Sequence, residues 1–97
     1  MKELSRRCEI CKIFSSPVRL GILQALRGGE KNVSEIERAS GASQSVVSQH
    51  LSMMKSRGIL DIEKKGAFAY YRIKYPEIMD ALDTMKSVTQ KIKRGRI

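Results

Sequence analysis

The apolar residues of segment 42–58 recur at the spacing of one face of a helix. Val47, Leu51 and Met54 stand at i, i+4 and i+7, which predicts an amphipathic helix that docks on a core by one side. The opposite side is predicted to carry hydroxyls, amides and one lysine, namely Gln44, Ser45, Ser48, Gln49, Ser52 and Lys55. Such side chains offer the donors and acceptors that read base edges and phosphates, so this helix is a candidate for the major groove of DNA.

Ser43 is the expected N-cap of this helix, and Gly58 is its expected end. Just upstream, a shorter helix is predicted that begins with the capping pair Asn32 and Glu35 and ends on Gly41. A short helix, a glycine turn and a polar-faced helix form the helix-turn-helix pattern. A serine- and glutamine-rich face alone is more often a solvated surface, and the segment that follows is what favours DNA binding.

After the polar-faced helix, the hydrophobic period changes from about 3.6 residues to two. Apolar and polar residues alternate in two short runs, Leu60-Asp-Ile-Glu63 and Ala69-Tyr-Tyr-Arg-Ile73, and the residues between them predict a turn. This part of the chain therefore predicts a two-stranded hairpin with Lys64 and Lys65 at its tip and Arg72 on its second strand. We interpret it as a wing that contacts the sugar-phosphate backbone or the minor groove. The alternative is a solvated basic turn.

A strongly apolar helix is predicted ahead of the helix-turn-helix. Ser16 is its expected N-cap, and Pro17 takes the first helical position, where the missing N–H costs nothing. The helix is predicted to run to Gly28 and Gly29. Because it is the most apolar element of the chain, we place it centrally in the core.

Two further helices, one near each end of the chain, carry apolar stripes. The stripe residues are Leu4, Cys8, Cys11 and Phe14 in a first helix predicted from Glu3 to Phe14, and Ile78, Leu82, Met85 and Ile92 in a last helix opened by Pro76. Stripes this apolar on a chain this small predict burial against a second copy. The predicted fold is mainly α with one β-hairpin, a winged helix-turn-helix of order ααααββα. It forms a single domain over residues 1–97 and a homodimer through the first and last helices.

The charge of the chain indicates a polyanionic partner. Among 97 residues, 19 Lys and Arg stand against 10 Asp and Glu, which gives a formal net charge of +9. This balance favours nucleic acid or an anionic membrane surface. No apolar run approaches the roughly 18 residues of a membrane span, and the N-terminal residues lack a signal-peptide core. We therefore expect a cytoplasmic protein whose partners are double-stranded DNA and a second copy of itself, with no membrane association.

Catalytic chemistry is not indicated by any motif of the sequence. A nucleophile paired with a base, paired carboxylates, a phosphate-binding glycine loop and a closed metal motif are all missing, so we expect neither an enzyme nor a resident cofactor. The rival function is a sequence-indifferent, nucleoid-type DNA-coating protein, which would use the same charge without selecting an operator.

Several motifs together resemble the ArsR/SmtB family of bacterial and archaeal winged-helix repressors. They are Ser16-Pro-Val-Arg-Leu-Gly-Ile-Leu23, Val33-Ser-Glu-Ile36, Ser43-Gln-Ser-x-Val-Ser-Gln-His-Leu51, Lys55-x-x-Gly-Ile-Leu60 and Lys65-Gly-x-x-x-Tyr-Tyr-Arg-Ile73. The resemblance covers nearly the whole chain. It implies a homodimeric repressor that binds an operator with dyad symmetry and releases it when an inducer binds.

The chain departs from the family at the two best-known metal sites. Members that sense thiophilic metals have a Cys-x-Cys at the start of the third helix, where this chain has Val33-Ser34-Glu35. Members that sense zinc-like ions use an aspartate and histidine pairs on the last helix, and residues 76–97 contain no histidine. The resemblance therefore does not imply a metal sensor, and the inducer is unknown.

His50 and the pair Cys8 and Cys11 are the remaining candidates for special chemistry. We interpret His50, the only histidine, as a base or phosphate contact or a structural hydrogen-bonding residue rather than as a metal ligand. The two thiols lie on one helical face, and Arg6 and Arg7 nearby would lower their pKa towards the reactive thiolate. Three roles stay open for the pair: packing, thiol or redox sensing, and a four-cysteine metal site shared across two chains.

Overall fold

The computed structural model describes residues 12–95 of the chain. Leu4, Cys8 and Cys11 of the predicted first helix lie outside the described residues. Lys12 and Ile13 are helical, and the chain turns at the following residue. Ile13 is only 2% exposed, so the end of this segment packs into the core.

Four helices and one hairpin follow one another along the described residues. They are α1 (Pro17–Leu26), α2 (Val33–Ser40), α3 (Gln44–Ser56), β1 (Leu60–Lys65), β2 (Phe68–Ile73) and α4 (Glu77–Arg94). From α1 onward this order confirms the predicted winged helix-turn-helix. The last helix begins one residue after Pro76, which acts as its N-cap residue.

The starts of α1 and α2 follow the predicted capping signals. The Ser16 hydroxyl accepts a hydrogen bond of 3.4 Å from the backbone N–H of Arg19. In α2, the Asn32 side chain accepts from the N–H of Glu35 at 2.9 Å, and the Glu35 carboxylate accepts from the N–H of Asn32 at 3.0 Å. This reciprocal pair satisfies two amides that a helix start leaves unpaired. Gly41 then ends α2 with φ +76°, a conformation that favours glycine.

The core is apolar and takes residues from every element except β2. Its buried members are Ile13, Ile22, Leu23, Leu26, Ile36, Val47, Leu51, Met54, Ile59, Leu60, Met79 and Leu82. The stripe predicted for the polar-faced helix is confirmed, because Val47, Leu51 and Met54 are all 0% exposed. α3 is therefore held by one side, and its other side is left outside the core.

The hairpin is longer and its turn tighter than predicted. β1 and β2 pair antiparallel from Leu60 with Ile73 to Lys65 with Phe68, so the two lysines belong to β1 and the turn itself is only Gly66 and Ala67. Gly66 has φ +63°, as two-residue hairpin turns require. The expectation of a turn over residues 64–68 was therefore wrong, since cross-strand pairing continues through both lysines.

A third stretch of backbone joins the hairpin. The N–H of Lys31 donates to the carbonyl of Tyr71 at 3.0 Å, and the N–H of Tyr71 donates back at 2.8 Å. Lys31 lies in the connection between α1 and α2. An isolated two-stranded hairpin is marginally stable, so this bridge helps to fix the wing to the body of the fold.

Helix α4 packs on the core by its first turns only. Met79 and Leu82 are 7% and 4% exposed, whereas Met85, Val88 and Ile92 are about half exposed at 50%, 48% and 53%. The predicted seam residue Leu82 is thus part of the protomer's own core, and Ile78 is half-buried against it. The core therefore reaches one turn further along α4 than the stripe alone could indicate, and the contribution of both residues to an intermolecular seam stays a prediction.

Candidate nucleic-acid interface

The side of α3 that points away from the core is lined by small polar residues. At about 100° per residue, four exposed side chains fall opposite the buried stripe, namely Ser45, Gln49, Ser52 and Ser56. No acidic or large apolar side chain lies among them. This outward face has the size and polarity that the major groove accepts.

The other predicted contact residues of α3 lie on its two flanks. Gln44, Ser48 and Lys55 fall on one flank, where Gln44 and Lys55 are exposed and Ser48 is half-buried. His50 lies on the opposite flank and is half-buried. The structure therefore brings most of the predicted set to the outward face and one flank, whereas His50 lies on the other flank, across that face.

Ser43 precedes α3 with extended backbone, as an N-cap residue does, but its side chain makes no capping hydrogen bond. Its hydroxyl lies 3.5 Å from that of Ser45 instead. The predicted N-cap position of Ser43 is therefore confirmed, although its side chain does not cap the helix. The N–H groups of the first turn remain available to an external acceptor, and helix starts of this kind bind phosphate well.

Ser56 is a face residue that sequence reasoning missed. Residues 45, 49 and 52 repeat the spacing of the buried stripe two residues earlier in the chain, so continuing that period by four residues from Ser52 would have found Ser56. Its hydroxyl donates to the carbonyl of Met53 at 2.8 Å and keeps its lone pairs for another donor.

The two wing lysines differ in position and in partners. Residues next to each other in a strand point to opposite faces, so Lys64 and Lys65 do not act on one side. Lys65 donates a short hydrogen bond to the Glu30 carboxylate, which raises the pKa of Lys65. Its ammonium also lies 5.7 Å from the centre of the Tyr70 ring. Lys64 is exposed and has no ion pair among the described residues.

Arg72 lies between two carboxylates of the facing strand. Its Nε is 3.8 Å from Asp61, and its Nη1 is 3.5 Å from Glu63. These distances are long, and the Arg72 side chain is 54% exposed, so both pairs are weak. A phosphate contact by Arg72 would have to compete with them.

Two features of other protein classes do not occur in residues 12–95. No three or more His, Cys, Asp and Glu side chains gather there as metal ligands would. Within the same residues, no helix combines the length and the apolar character that crossing a membrane requires.

A helix-turn-helix with an outward polar helix and an adjoining hairpin defines the chain as a winged helix-turn-helix protein. Residues 16–61 match the model of the arsR family of bacterial regulatory proteins. The transcriptional regulator YgaV of Escherichia coli is 34% identical over 80 residues, which are 81% of each chain. The chain therefore belongs to the ArsR family of transcriptional regulators.

Two further comparisons agree with this membership. The transcriptional repressor SdpR of Bacillus subtilis is 28% identical over 82 residues, covering 84% of this chain and 91% of SdpR. The homodimeric winged helix-turn-helix DNA-binding domain Mb0332 of Mycobacterium bovis superposes with a TM-score of 0.83 at 25% identity. That match covers 98% of this chain and 88% of the other.

Proposed function

We propose that this chain is a sequence-specific repressor that acts in the cytoplasm and binds a dyad-symmetric operator as a homodimer. The observation that carries the proposal is the outward face of α3, which is polar along its whole length while its opposite side is fully buried. All 97 residues form one domain in this proposal, and the function is binding rather than catalysis. The family relatives named as repressors, including SdpR, support it.

The proposed DNA contacts fall into two groups. The first is the α3 set that reads base edges and phosphates: Ser43, Gln44, Ser45, Ser48, Gln49, His50, Ser52 and Lys55, to which the structure adds Ser56. The second is the wing set that contacts the backbone, namely Lys64, Lys65 and Arg72. Ser45, Gln49, Ser52 and Ser56 point most directly outward, so they are expected to contribute most to base selection.

The far half of α4 supports the dimer. Met85, Val88 and Ile92 are about half exposed on a helix of 18 residues, which is about 27 Å long. Phe14 and Met85 border an apolar groove of about 330 Å³ beside them. The relative Mb0332 is a homodimer. A dimer would cover these residues and would also hold two α3 helices about 34–36 Å apart, one turn of duplex.

A salt titration on operator and random duplexes tests the proposal against the nucleoid-type alternative. A repressor should bind its operator about a thousandfold or more tightly than random DNA at physiological salt. Its salt slope should be similar on both duplexes, because the slope counts phosphate contacts. Equal affinities on every sequence would overturn the repressor and support the coating protein. Sedimentation at micromolar concentration tests the dimer, and a monomeric wild type would refute it.

Sensing by Cys8 and Cys11 stays a prediction, because both lie outside the described residues. The test compares the wild type with Cys8→Ser/Cys11→Ser on operator DNA under reducing conditions, under oxidising conditions, and with added zinc. A wild type that responds to neither oxidation nor metal, and binds as its variant does, would leave the cysteines as packing residues.

A further inference from the structure

A cavity of about 340 Å³ lies between the start of α1 and the end of α3. It is lined by Lys12, Ile13, Ser15, Arg19, Met53 and Arg57. Three of these side chains are cations, and no acidic residue of the described chain lines it. Like charges gathered around one space repel one another unless an anion joins them. None of these residues belongs to the DNA contacts proposed above.

Arg19, which lines this cavity, has a hydrogen-bonding edge without a partner. Its Nη1 donates to the carbonyl of Lys12 at 3.0 Å. Its Nε is buried without a hydrogen-bond partner, and the described residues supply no acceptor for its Nη2. The Nε and Nη2 atoms form the edge of a guanidinium that binds two oxygens of one carboxylate or phosphate in parallel. A buried donor without an acceptor is unfavourable, so this edge is suited to an anion from outside the fold.

We propose that the cavity binds a phosphate-type oxyanion, held by Arg19 and Lys12 with added positive charge from Arg57. The volume is within the range of small-ligand pockets, about 300–1,000 Å³. Nε is covered by protein atoms, so the anion binds first at Nη2, and a small rotation of the guanidinium brings Nε–H to its second oxygen. Arg57 already takes part in another interaction within the chain, and the proposal rests on the other two residues.

The oxyanion has two sources, because the cavity lies beside α3. Met53 and Arg57 belong to the end of that helix, so a backbone phosphate of bound DNA is one source, and free phosphate is the other. The cavity lies at the start of α1, and the connection that bonds to the wing follows the end of α1. The ten residues of this helix span about 15 Å between them. Only the DNA source rests on the proposed function.

Titration of the full chain with inorganic phosphate, without DNA, tests the shared chemistry. We expect the Nε–Hε signal of Arg19 in ¹⁵N-labelled protein to move and saturate within tens of millimolar phosphate. Lys12→Gln should lower the association constant about tenfold, since a charge-assisted hydrogen bond is lost. Arg19→Lys, followed by the backbone N–H signal of Ser15 in the cavity lining, keeps the charge but loses the two-bond edge and should weaken binding similarly. Lys91→Gln, an exposed cation of α4, is the matched control and should change nothing.

Operator binding by the same variants separates the two sources. If Lys12→Gln also lowers the salt slope by about 0.9 per chain while Lys91→Gln does not, the anion is a DNA phosphate. If phosphate binds but the slope is unchanged, the ligand is a free anion. Failure of operator selectivity in the wild type would refute the repressor and leave the phosphate result standing.

Two outcomes would overturn the anion site. The first is an Arg19 signal that does not respond to phosphate, or a response that Lys12→Gln leaves unchanged. The second is phosphate binding that appears only in Glu3→Gln/Glu9→Gln, because a carboxylate of the chain's own N-terminal segment would then occupy the site.

Discussion

Helices α3 and α4 carry similar apolar stripes, but the fold covers them differently. The stripe residues of α3, including Leu51, are fully buried in the core. The polar side of α3 is exposed. The stripe of α4 is buried at Leu82 and exposed from Met85 onward. A regular period therefore fixes which side of a helix is apolar, but the surrounding elements decide what covers each turn. The proposed DNA contacts of α3 lie opposite its stripe, whereas the proposed dimer contacts of α4 lie on its stripe.

The largest expected effect comes from breaking the two halves of the α4 stripe separately. Leu82→Asp places a charge in the core and should reduce the free energy of unfolding by at least about 3 kcal/mol, enough to unfold much of a small domain. Met85→Asp changes an exposed position and should leave the protomer folded while it dissociates the dimer and abolishes operator selectivity. Circular dichroism and sedimentation together measure both results.

Ser87→Asp serves as the control, since it adds a carboxylate two residues away at an exposed position on the other side of the same helix. It should preserve the dimer better than Met85→Asp. A folded Leu82→Asp protein, or a Met85→Asp protein that remains dimeric, would show that the boundary between core and seam lies elsewhere on α4.

The boundary on α4 shows why part of the fold could be predicted from the sequence and part could not. Local signals such as the Asn32 cap, Gly41 and the buried face of α3 depend on neighbouring residues, and these predictions are confirmed. The assignment of Leu82 to the core depends on which elements reach it across the fold. The ion pair between Lys65 and Glu30 joins residues far apart in the chain, so no local pattern could reveal it.

The outward face of α3 gives the next largest effect. Gln49 points directly away from the core, so Gln49→Ala should weaken operator binding by about 1–3 kcal/mol and leave random-DNA binding nearly unchanged. Gln44→Ala, on the flank, should cost less selectivity. Fluorescence anisotropy on the two duplexes measures both variants. Equal losses of affinity for operator and random DNA would show that this face does not read bases.

The wing adjoins α3 and should change the salt slope rather than the sequence preference. Lys64→Ala should lower the slope by about 0.9 per chain if its ammonium contacts a phosphate. Lys65→Ala should lower it less, because Glu30 already neutralises Lys65. Glu30→Gln releases Lys65 and should raise the slope and tighten binding to every sequence. A Glu30→Gln protein with an unchanged slope would mean that Lys65 does not reach DNA.

The smallest effect concerns the ion pair that ties α4 to the end of α1. Arg27 donates from both terminal nitrogens to Asp83, at 2.9 and 2.6 Å, which lowers the pKa of the Asp83 carboxyl. A carboxyl whose pKa is lowered by folding stabilises the fold at pH values above its pKa in the unfolded chain, about 3.9. This contribution is lost as the pH falls through the pKa of the folded state. Asp83→Asn should therefore lower the melting temperature at pH about 7, slightly because both side chains are exposed, and have no effect in strong acid. Asp80→Asn, which removes a neighbouring charge without breaking the pair, should lower the melting temperature less. If the difference in melting temperature between the wild type and Asp83→Asn persists unchanged in strong acid, the ion pair does not hold α4 in place.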